Sequence, residues 1–419
     1  MTASPPIVFP DAAATDPVRL GWMRGFPPPP EKTIAFADGS LWAFPRTRWA
    51  FSHMRELFPT ANVSRGDGPV AVLPRAERGD LDGVAFATLD GRPMTWGESL
   101  AANYTDGIVV LHRGVIVQER YFGALQAELA HSAMSVTKSF VGTMAAMLAR
   151  GGLLDPAAQV THYLPELADT AYADATVRQV MDMTIGVKYS ETYADPAADI
   201  WHYVRAGGMM PRPPGYAGPA TLYDYLQTLQ TEGRHGVGFA YKTVNTEVLA
   251  WVLQRVTGRR LSTLTAEMIW QPLGAEHDAH YAVDSAGTPA GGGGLNTALR
   301  DLARFGEAMR QGGWFNGRQI VPDAVVADIR RGASPEQFTR AGYTTMPGWS
   351  YRNMWWVTHD AHGAFTARGI HGQAIWIDPM AEMVIARYAS HPLAANSPHL
   401  DPTSLPAYRA LGQHLLRHP

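Results

Sequence analysis

Short apolar runs of the length of β-strands occur in two parts of the chain, one near residue 110 and one after residue 350. Apolar residues at 108–111 and 115–117 flank His112-Arg113-Gly114, and this arrangement predicts a β-hairpin. Later apolar runs predict three more strands, at 353–358, 373–378 and 382–388. The N-terminal quarter is rich in proline and shows little periodicity, so we expect an ordered arm wrapped over the core.

The middle of the chain carries the apolar period of helices. The longest helical pattern covers 135–150 and is ended by Gly151-Gly152. Further helices are predicted at 49–57, 176–184, 220–231, 245–257, 261–270, 298–311, 322–331 and 403–417. Strands at both ends with helices between them predict an α+β fold, in which an α/β sandwich with an antiparallel sheet is joined to an all-helical domain.

This order of elements divides the chain into three predicted segments. Residues 1–150 hold the N-terminal arm and the first part of the sheet domain with the long helix. Residues 151–310 form a mainly helical domain, and residues 311–419 complete the sheet domain. The run 291–294 (GGGG) is too short for a linker and indicates a tight turn or a close backbone approach.

Charge and composition narrow the classes of function. The chain has 35 Lys and Arg against 38 Asp and Glu, and its net charge of −3 excludes a generally basic surface for nucleic acid. The absence of cysteine excludes disulfides, thiol nucleophiles and cysteine-based metal sites. Residues 1–15 lack the features of a signal peptide, and the longest low-charge run, 132–149, is interrupted by Lys138. We therefore expect a cytoplasmic protein without a membrane span.

The first candidate chemistry is the pair Ser135 and Lys138 at the start of the long helix. Residues i and i+3 lie on one helix face, so the hydroxyl and the amine can meet. Lys138 is the only charged side chain in 132–149, and a helix that is apolar nearly all round is buried. Burial lowers the pKa of an amine by up to ~3–5 units, and a neutral amine beside a hydroxyl forms a nucleophile–base pair. The alternative is that Lys138 extends to the surface and Ser135 only caps the helix.

Tyr241 is the second candidate. The stretch 239–245 (FAYKTVN) precedes an amphipathic helix, and this position could place the Tyr241 phenol and the Asn245 carboxamide beside the nucleophile. A phenol is suited to relay a proton to a leaving amine or alkoxide. Packing in the core with a satisfied hydroxyl is the alternative for this tyrosine.

Metal and nucleotide chemistry find little support in the motifs. Two His pairs with i, i+3 spacing, at 277–280 and 359–362 (both HDAH), lack an HExxH context and a third ligand. We expect surface turns there, and neither a metal ion nor another cofactor. The chain has no G-x-S-x-G elbow and no P-loop, which disfavours the α/β-hydrolase and nucleotide-hydrolase classes.

An S-x-x-K motif followed by a later Tyr motif resembles the class C β-lactamases and penicillin-recognising serine hydrolases. The segments that carry this resemblance are 150–156, 163–167, 176–186 and 239–258. Within that family the chain is similar above all to the branch of the 6-aminohexanoate-dimer (nylon-oligomer) hydrolases and family-eight carboxylesterases. This likeness lies in 49–65, 134–138 (MSVTK), 189–196 (YSETYADP), 245–251 (NTEVLAW) and 369–379 (GIHGQAIWIDP). The resemblance implies the family's α+β fold.

The resemblance also implies roles for individual residues. It makes Ser135 the nucleophile and Lys138 its general base. Tyr241 becomes the proton relay, and Asn245 a polar support for the Tyr segment. Tyr193 matches the position whose hydroxyl touches the substrate amide in the nylon-oligomer hydrolases. The implied activity is hydrolysis of esters or amides through an acyl-enzyme, by a carboxylesterase or a 6-aminohexanoate-oligomer-hydrolase-like amidase.

The family's Lys-Thr-Gly strand motif is absent, and 369–372 (GIHG) takes its place ahead of a predicted strand. The resemblance implies that a backbone N–H near Ile370 completes the oxyanion hole with that of Ser135. His371 either shapes the site or packs in the core, and both interpretations stay open. Gly372 belongs to the same supporting stretch.

Departures from the family bear on the substrate. Thr243 stands two residues after Tyr241, where β-lactamases have Asn, and no Lys-Thr-Gly lysine is present to bind a carboxylate. In the loop 201–216, Val204 and a position near Met209 replace the acidic and Trp substrate contacts of the nylon-oligomer hydrolases. We therefore expect a small-molecule ester or amide of apolar character. The alternatives are a β-lactamase or D-amino-acid peptidase, and a non-catalytic penicillin-binding-like receptor; a homodimer is left open.

Overall fold

The computed structural model describes residues 9–419, apart from the side chain of Pro398. Residues 1–8, which begin the predicted arm and the stretch searched for a signal peptide, lie outside the described residues. The strands are β1 (Thr60–Val63), β2 (Ala85–Ala87), β3 (Pro93–Thr95), β4 (Thr105–His112), β5 (Val115–Tyr121), β6 (His131–Ser132), β7 (Ala279–Ala282), β8 (Leu295–Thr297), β9 (Trp314–Phe315), β10 (Arg318–Gln319), β11 (Ser350–Arg352), β12 (Trp355–Val357), β13 (Phe365–Gly369), β14 (Gln373–Asp378) and β15 (Met383–Ala389).

The α-helices are α1 (Pro17–Leu20), α2 (Thr47–Ala50), α3 (Trp96–Ala102), α4 (Val136–Arg150), α5 (Val160–Tyr163), α6 (Val177–Met181), α7 (Asp199–Ala206), α8 (Leu222–Leu226), α9 (Thr243–Thr257), α10 (Leu261–Thr265), α11 (Gln271–Leu273), α12 (Leu299–Arg310), α13 (Asp323–Arg331), α14 (Pro335–Thr339), α15 (Asn396–His399) and α16 (Asp401–Arg417). Within residues 9–419, no helix combines the length and the apolar character that crossing a membrane requires.

The main sheet has seven antiparallel strands in the order β11-β12-β13-β14-β15-β4-β5, so the early hairpin joins the late strands. Neighbouring residues of a strand point to opposite faces. In β14, Ile375 packs against Gly306 of α12, whereas the ring of Trp376 lies 5.5 Å from that of Tyr408 in α16. Helices therefore cover both faces, and the predicted α+β sandwich is confirmed.

Helix α12 packs on the main sheet, although it lies inside segment 151–310, which was predicted to form a mainly helical domain. Its Gly306 has no room for a side chain, because a Cβ there would lie 2.6 Å from Val384 Cγ1 and 2.8 Å from Ile375 Cγ2. The close approach seats α12 directly on β14 and β15. The three-segment division of the chain stays a prediction.

A second sheet, in the order β1-β7-β8-β6, was not foreseen from the sequence. Its strands are two to four residues long, too short for a periodic pattern. Strand β6 pairs with β8, with His131 opposite Thr297, and leads directly into α4. The sheet thus fixes the chain on the N-terminal side of the S-x-x-K helix.

Several predicted helices are shorter in the structure or lie elsewhere. The helix expected at 49–57 resolves into α2 and a separate 3₁₀ turn, Met54–Glu56. The segment 201–216, expected to be a loop, begins inside α7, and the helix expected at 220–231 is reduced to α8. Gly207 and Gly208 end α7, since Gly208 adopts a left-handed φ of 71°, and Pro211 prevents the helix from resuming because it lacks a backbone N–H.

Candidate active site

Ser135 and Lys138 lie at the buried start of α4. The Lys138 Nζ donates hydrogen bonds to Ser135 Oγ at 2.8 Å and to the Gly292 carbonyl oxygen at 2.5 Å. No carboxylate of the described residues lies within 4.0 Å of this amine. Lys138 is 1% exposed, so it does not extend to the surface. The structure thus places hydroxyl and amine on one helix face, as the i, i+3 spacing predicts.

Burial sets the protonation of Lys138. Removal from water disfavours the ammonium form and lowers the pKa of Lys138 to about 8, against the opposing charges of Glu191 and Glu247. A substantial fraction of the amine is therefore neutral near that pH. A neutral amine has a lone pair, and at 2.8 Å from the Ser135 hydroxyl it can accept the proton.

Close packing against the main sheet holds α4 in place. At Gly142, a Cβ would lie 2.1 Å from the Asn353 carbonyl oxygen, so only glycine fits. The Ser139 hydroxyl donates to the Met354 carbonyl oxygen at 2.8 Å. Immediately before the nucleophile, Met134 has a φ of 47°, a left-handed backbone conformation that is uncommon for a non-glycine residue.

Tyr241 lies beside this pair. Its ring is centred 5.1 Å from the Lys138 Nζ and stacks on Trp356 at 5.4 Å. Met183 holds both neighbours of the tyrosine: its carbonyl accepts from Ala240 N at 2.8 Å, and its sulfur accepts from Lys242 N at 3.3 Å. Burial raises the pKa of Tyr241 well above its usual value, so the phenol keeps its proton and can donate it.

Asn245 is not beside the nucleophile, contrary to the first of the two expectations for it. It is fully buried, and its Oδ1 accepts from the Tyr172 hydroxyl at 2.8 Å. Its Nδ2 lies 3.7 Å from the sulfur of Met183, the residue that holds the neighbours of Tyr241. Its contacts are therefore those of a support behind the tyrosine segment.

The turn 369–372 approaches the nucleophile closely. A Cβ at Gly369 would lie 2.8 Å from the Ala133 carbonyl oxygen, so the end of β13 packs against the backbone just before Ser135. Ile370 follows and lines the cavities that contain Ser135. Gly372 has a φ of 102°, and a Cβ there would lie 2.7 Å from Leu400 Cδ2.

His371 orders one wall of the site. Its Nδ1 lies 2.7 Å from the His391 carbonyl oxygen, which can only accept, so we assign the ring proton to Nδ1. Burial lowers the pKa of His371 to about 4, and the ring is neutral above that pH. Its backbone N–H donates to the Ala394 carbonyl at 2.9 Å, and His391 N donates back to its carbonyl at 3.1 Å. His371 thus holds the segment 391–394, and it also packs against Phe51.

Two cavities open from Ser135. We call the first, of about 430 Å³, the large chamber; its walls include Trp42, Val204, Met209 and Leu393. The second, of about 190 Å³, is the small chamber, and its walls include Tyr241, Tyr343, Trp356 and Arg368. Five residues line both: Ser135, Glu191, Tyr193, Ile370 and Ala395. Tyr193 therefore lines the same cavities as Ser135, and its ring packs against Trp201 at 6.1 Å.

Two carboxylates of the site were missed in the sequence. Glu191 lies in both chambers and accepts a hydrogen bond from Thr243 N. Glu247 is buried on α9 and accepts from the N–H groups of the Gly291-Gly292 loop that contacts Lys138. Glu247 is the only charged residue in 243–254, the same signal that singled out Lys138.

The His pairs considered as metal ligands are separated in the structure. His280 is buried in β7 rather than in a surface turn, and burial lowers its pKa to about 3. His359 lies 2.7 Å from the Ser350 hydroxyl, and His362 lies 2.6 Å from Asp378. Across residues 9–419, no group of three or more His, Asp or Glu side chains is arranged to hold a metal ion.

Comparisons with known proteins place the chain in a family. A sequence profile of the Beta-lactamase family matches residues 99–404. The 6-aminohexanoate-dimer hydrolase of Paenarthrobacter ureafaciens is 36% identical over 392 residues, or 93% of this chain and 92% of that protein. The structure of a Bacillus anthracis protein assigned as a 6-aminohexanoate-dimer hydrolase has a TM-score of 0.83 and 32% identity, covering 91% of this chain and 97% of the other.

A family VIII carboxylesterase shares the fold, with a TM-score of 0.53 and 18% identity over 75% of this chain and 96% of its own. The family profile covers most of the chain, and the relatives above 30% identity span nearly its whole length. The family resemblance read from the motifs is thereby confirmed. The chain is a hydrolase and belongs to the Beta-lactamase family.

Proposed function

We propose that the protein hydrolyses esters or amides of apolar character through an acyl-enzyme on Ser135. The observation that carries this proposal is the 2.8 Å contact between Lys138 Nζ and Ser135 Oγ, made by a buried amine with no carboxylate partner among the described residues. Such an amine is a general base for the neighbouring hydroxyl.

The reaction begins when neutral Lys138 accepts the Ser135 proton and Oγ attacks the acyl carbonyl. Tyr241, whose raised pKa keeps it protonated, delivers a proton to the leaving oxygen or nitrogen and recovers one from Lys138. The leaving group departs and the acyl group stays on Ser135. Water then attacks the acyl-enzyme, and the same groups move its proton to restore the free serine.

The developing oxyanion is proposed to bind the backbone N–H groups of Ser135 and Ile370. Support comes from Gly369. A Cβ at this position would lie 2.8 Å from the Ala133 carbonyl oxygen, so the lack of a side chain lets the turn pack against the backbone beside Ser135. Two fixed backbone donors in a buried site stabilise an oxyanion without reorganising.

The walls of the site favour this function over β-lactam hydrolysis. The one arginine of the small chamber, Arg368, is already paired with Asp401 and is not free to bind a substrate carboxylate. A non-catalytic receptor role is disfavoured because Ser135, Lys138 and Tyr241 lie together in a site that is open to two cavities.

The test is turnover of p-nitrophenyl butyrate and of nitrocefin, together with mass-spectrometric mapping of a fluorophosphonate adduct. We expect ester turnover, little nitrocefin turnover, and the adduct on Ser135. Ser139→Ala is the matched control, since Ser139 lies one turn further along α4 and contacts Met354 instead of the cavities. An adduct on another residue, or nitrocefin turnover that exceeds ester turnover, would contradict the proposal.

A further inference from the structure

The two chambers that meet at Ser135 differ in size and in their relation to Tyr241. The large chamber has about 430 Å³ and the small chamber about 190 Å³. Tyr241 lines the small chamber and not the large one. A proton donor for the leaving atom must lie on the side from which that atom departs.

We propose that the acyl group of the substrate occupies the large chamber and the leaving alcohol or amine the small chamber. The substrates are then esters or amides that combine a bulky, neutral, apolar acyl group with a small leaving group. This inference rests on the proposed function of Ser135 and Tyr241, and it adds the direction in which the substrate lies.

The large chamber suits a neutral apolar chain. Its walls include Val204, Met209 and Leu393, and the one polar atom of the Trp42 ring is satisfied by a 2.8 Å bond to the Met209 carbonyl oxygen. His371, also in this wall, is neutral because burial lowers its pKa to about 4. The free energy gained by burying apolar surface grows with the area buried, so each added methylene strengthens binding here.

The small chamber restricts what can leave. Tyr343 and Trp356 form aromatic walls whose centroids are 5.6 Å apart, and the guanidinium of Arg368 lies over the Trp356 ring at 5.4 Å. These side chains pack against one another, so the chamber cannot widen without breaking their contacts. The chamber therefore favours a short or a flat aromatic leaving group over a long alkyl chain.

Two isomeric esters test this direction directly. Ethyl octanoate and octyl acetate have the same atoms, but they place the long chain on the acyl and on the leaving side respectively. For each ester, kcat/KM is divided by the rate constant of its alkaline hydrolysis, which corrects for intrinsic reactivity. We expect the corrected value to be at least about tenfold higher for ethyl octanoate than for octyl acetate. Equal or reversed values would overturn the chamber assignment alone. If neither ester reacts in a Ser135-dependent way, the proposed function fails as well.

A substitution in the large chamber gives a second test. Val204, half-buried on α7, faces the chamber, and Val204→Phe narrows it. We expect the ratio of kcat/KM for ethyl octanoate to that for ethyl acetate to fall at least about fivefold. The exposed His202 on the same helix supplies the control, because His202→Phe should keep the wild-type ratio. An unchanged ratio in folded Val204→Phe would overturn the assignment.

A separate observation concerns Glu247, which none of the catalytic steps uses. Its buried carboxylate accepts three hydrogen bonds: from Gly291 N at 2.9 Å, Gly292 N at 2.7 Å and the Tyr203 hydroxyl at 2.6 Å. The Gly292 carbonyl in turn accepts from Lys138 Nζ at 2.5 Å. Glu247 and the proposed base are therefore bound to the backbone N–H and to the carbonyl of the same residue, Gly292.

The glycine run exists because this approach is close. A Cβ at Gly292 would lie 2.5 Å from Thr243 Cγ2 and 2.9 Å from Glu247 Oε1. At Gly291, a Cβ would lie 2.7 Å from the Ala250 Cβ. Neither glycine has the positive φ that would by itself require glycine. The close contact with α9 therefore explains why no larger residue is found at these two positions.

We infer that Glu247 is a positioning residue, which clamps the Gly291-Gly292 loop so that the Gly292 carbonyl aims the Lys138 amine at Ser135. Two carboxylates bear on this amine, Glu247 through the loop and Glu191 from the chamber side. The negative charge of each raises the pKa of Lys138 against the effect of burial.

Glu247→Gln tests the clamp, because an amide cannot accept from all three donors. We expect kcat on p-nitrophenyl butyrate to fall by about tenfold or more with KM within about twofold. The midpoint of the pH–rate profile should move to lower pH, since the lost charge no longer supports the Lys138 ammonium. Tyr203→Phe removes one donor and keeps the carboxylate charge, so it should lower kcat by less and leave the midpoint near its wild-type value.

Glu307→Gln is the matched control. Glu307 is equally buried on α12, but it accepts from Arg310 at 2.7 Å and does not contact the site. The Glu307→Gln protein should be less stable than the wild type but keep the wild-type kcat and pH midpoint. If the folded Glu247→Gln and Tyr203→Phe proteins both kept the wild-type kcat and midpoint, or if Glu307→Gln changed them equally, Glu247 would be only a structural residue.

Discussion

Two buried clusters of ionisable groups in this molecule are built in opposite ways. In the first, which we call the α12 cluster, Arg304 bonds to Asp301 at 2.8 Å and to Glu276 at 3.1 Å, and Arg300 bonds to Glu119 at 2.6 Å. In the active site, Lys138 bonds to a hydroxyl and to a carbonyl oxygen. Arg304 and Lys138 are both buried, but only the first cluster pairs its cations with carboxylates.

An arginine keeps its proton in either setting, so the difference appears in the direction in which each pKa moves. Burial disfavours the charge of Arg300, but the hydrogen bond and charge of Glu119 outweigh it and raise the pKa of Arg300. Burial also disfavours the charge of Lys138, and without a direct carboxylate partner its pKa falls to about 8. A paired cation therefore holds structure, whereas an amine left with neutral partners becomes a base.

The largest expected effect comes from the nucleophile itself. Ser135→Ala should lower kcat/KM for p-nitrophenyl butyrate by about 10⁴-fold or more, because no other group can form the acyl-enzyme. The free energy of unfolding, measured by urea titration, should stay within about 0.5 kcal/mol, since the change removes a single small hydroxyl. Residual turnover above that level would place the nucleophile elsewhere.

The next effect concerns the unpaired cation. Lys138→Met should lower kcat/KM by about 10²–10⁴-fold, since it removes the general base. The free energy of unfolding at neutral pH should stay equal or rise, because Met imposes no cost of burying a charge. The same titration measures this value, and a marked loss of stability would show that Lys138 serves as a structural cation.

The paired cation should respond in the reverse way. Arg304→Met leaves the buried Asp301 carboxylate without its cation, while Glu276 keeps Arg300, and should cost about 3–5 kcal/mol of unfolding free energy. Its kcat/KM and pH midpoint should match those of the wild type in the fraction that is folded. Arg331→Met, which breaks an exposed pair with Asp328, is the control and should cost at most about 1 kcal/mol.

The pH profile sharpens the comparison further. Since Lys138 must be neutral to act, and its pKa lies at about 8, kcat/KM should rise with pH and level off above that value. Below the midpoint, each decrease of one pH unit should lower kcat/KM about tenfold. A profile without this limb between about pH 6 and 9, measured on an ester that is stable there, would mean that the base is another group.

The smallest effect should come from the neutral acid. Tyr241→Phe should lower kcat/KM about tenfold or more on an anilide amide and less than about threefold on p-nitrophenyl butyrate. The nitrophenolate leaves without a proton, whereas the amine must receive one. Equal losses on both substrates would remove Tyr241 from the relay.

Local patterns in the sequence were sufficient for the larger elements. The helix predicted at 135–150 is α4, and the strand predicted at 373–378 is β14, because a mostly apolar segment of sufficient length specifies its own burial. The second sheet could not be found this way. Strands such as β6 and β8 owe their conformation to each other and not to their own sequence.

The same distinction between local and long-range signals applies to the residues of the site. Ser135 and Lys138 are three residues apart on one helix, so their contact follows from helical geometry and could be predicted. The placement of Tyr241 and Ile370 at the nucleophile followed from resemblance to a family, and their lining of the cavities agrees with it. The interior contacts of Asn245 had no local signal and were misjudged.

The sequence by itself therefore determined the pairing of a hydroxyl with a buried amine, because helix periodicity acts over a few residues. Only the tertiary structure decided what surrounds that pair. The Gly292 carbonyl, the Glu247 carboxylate and the chamber walls come from segments far apart in the chain. Their distances to Ser135 depend on how whole layers pack, and no periodicity within one segment encodes such a distance.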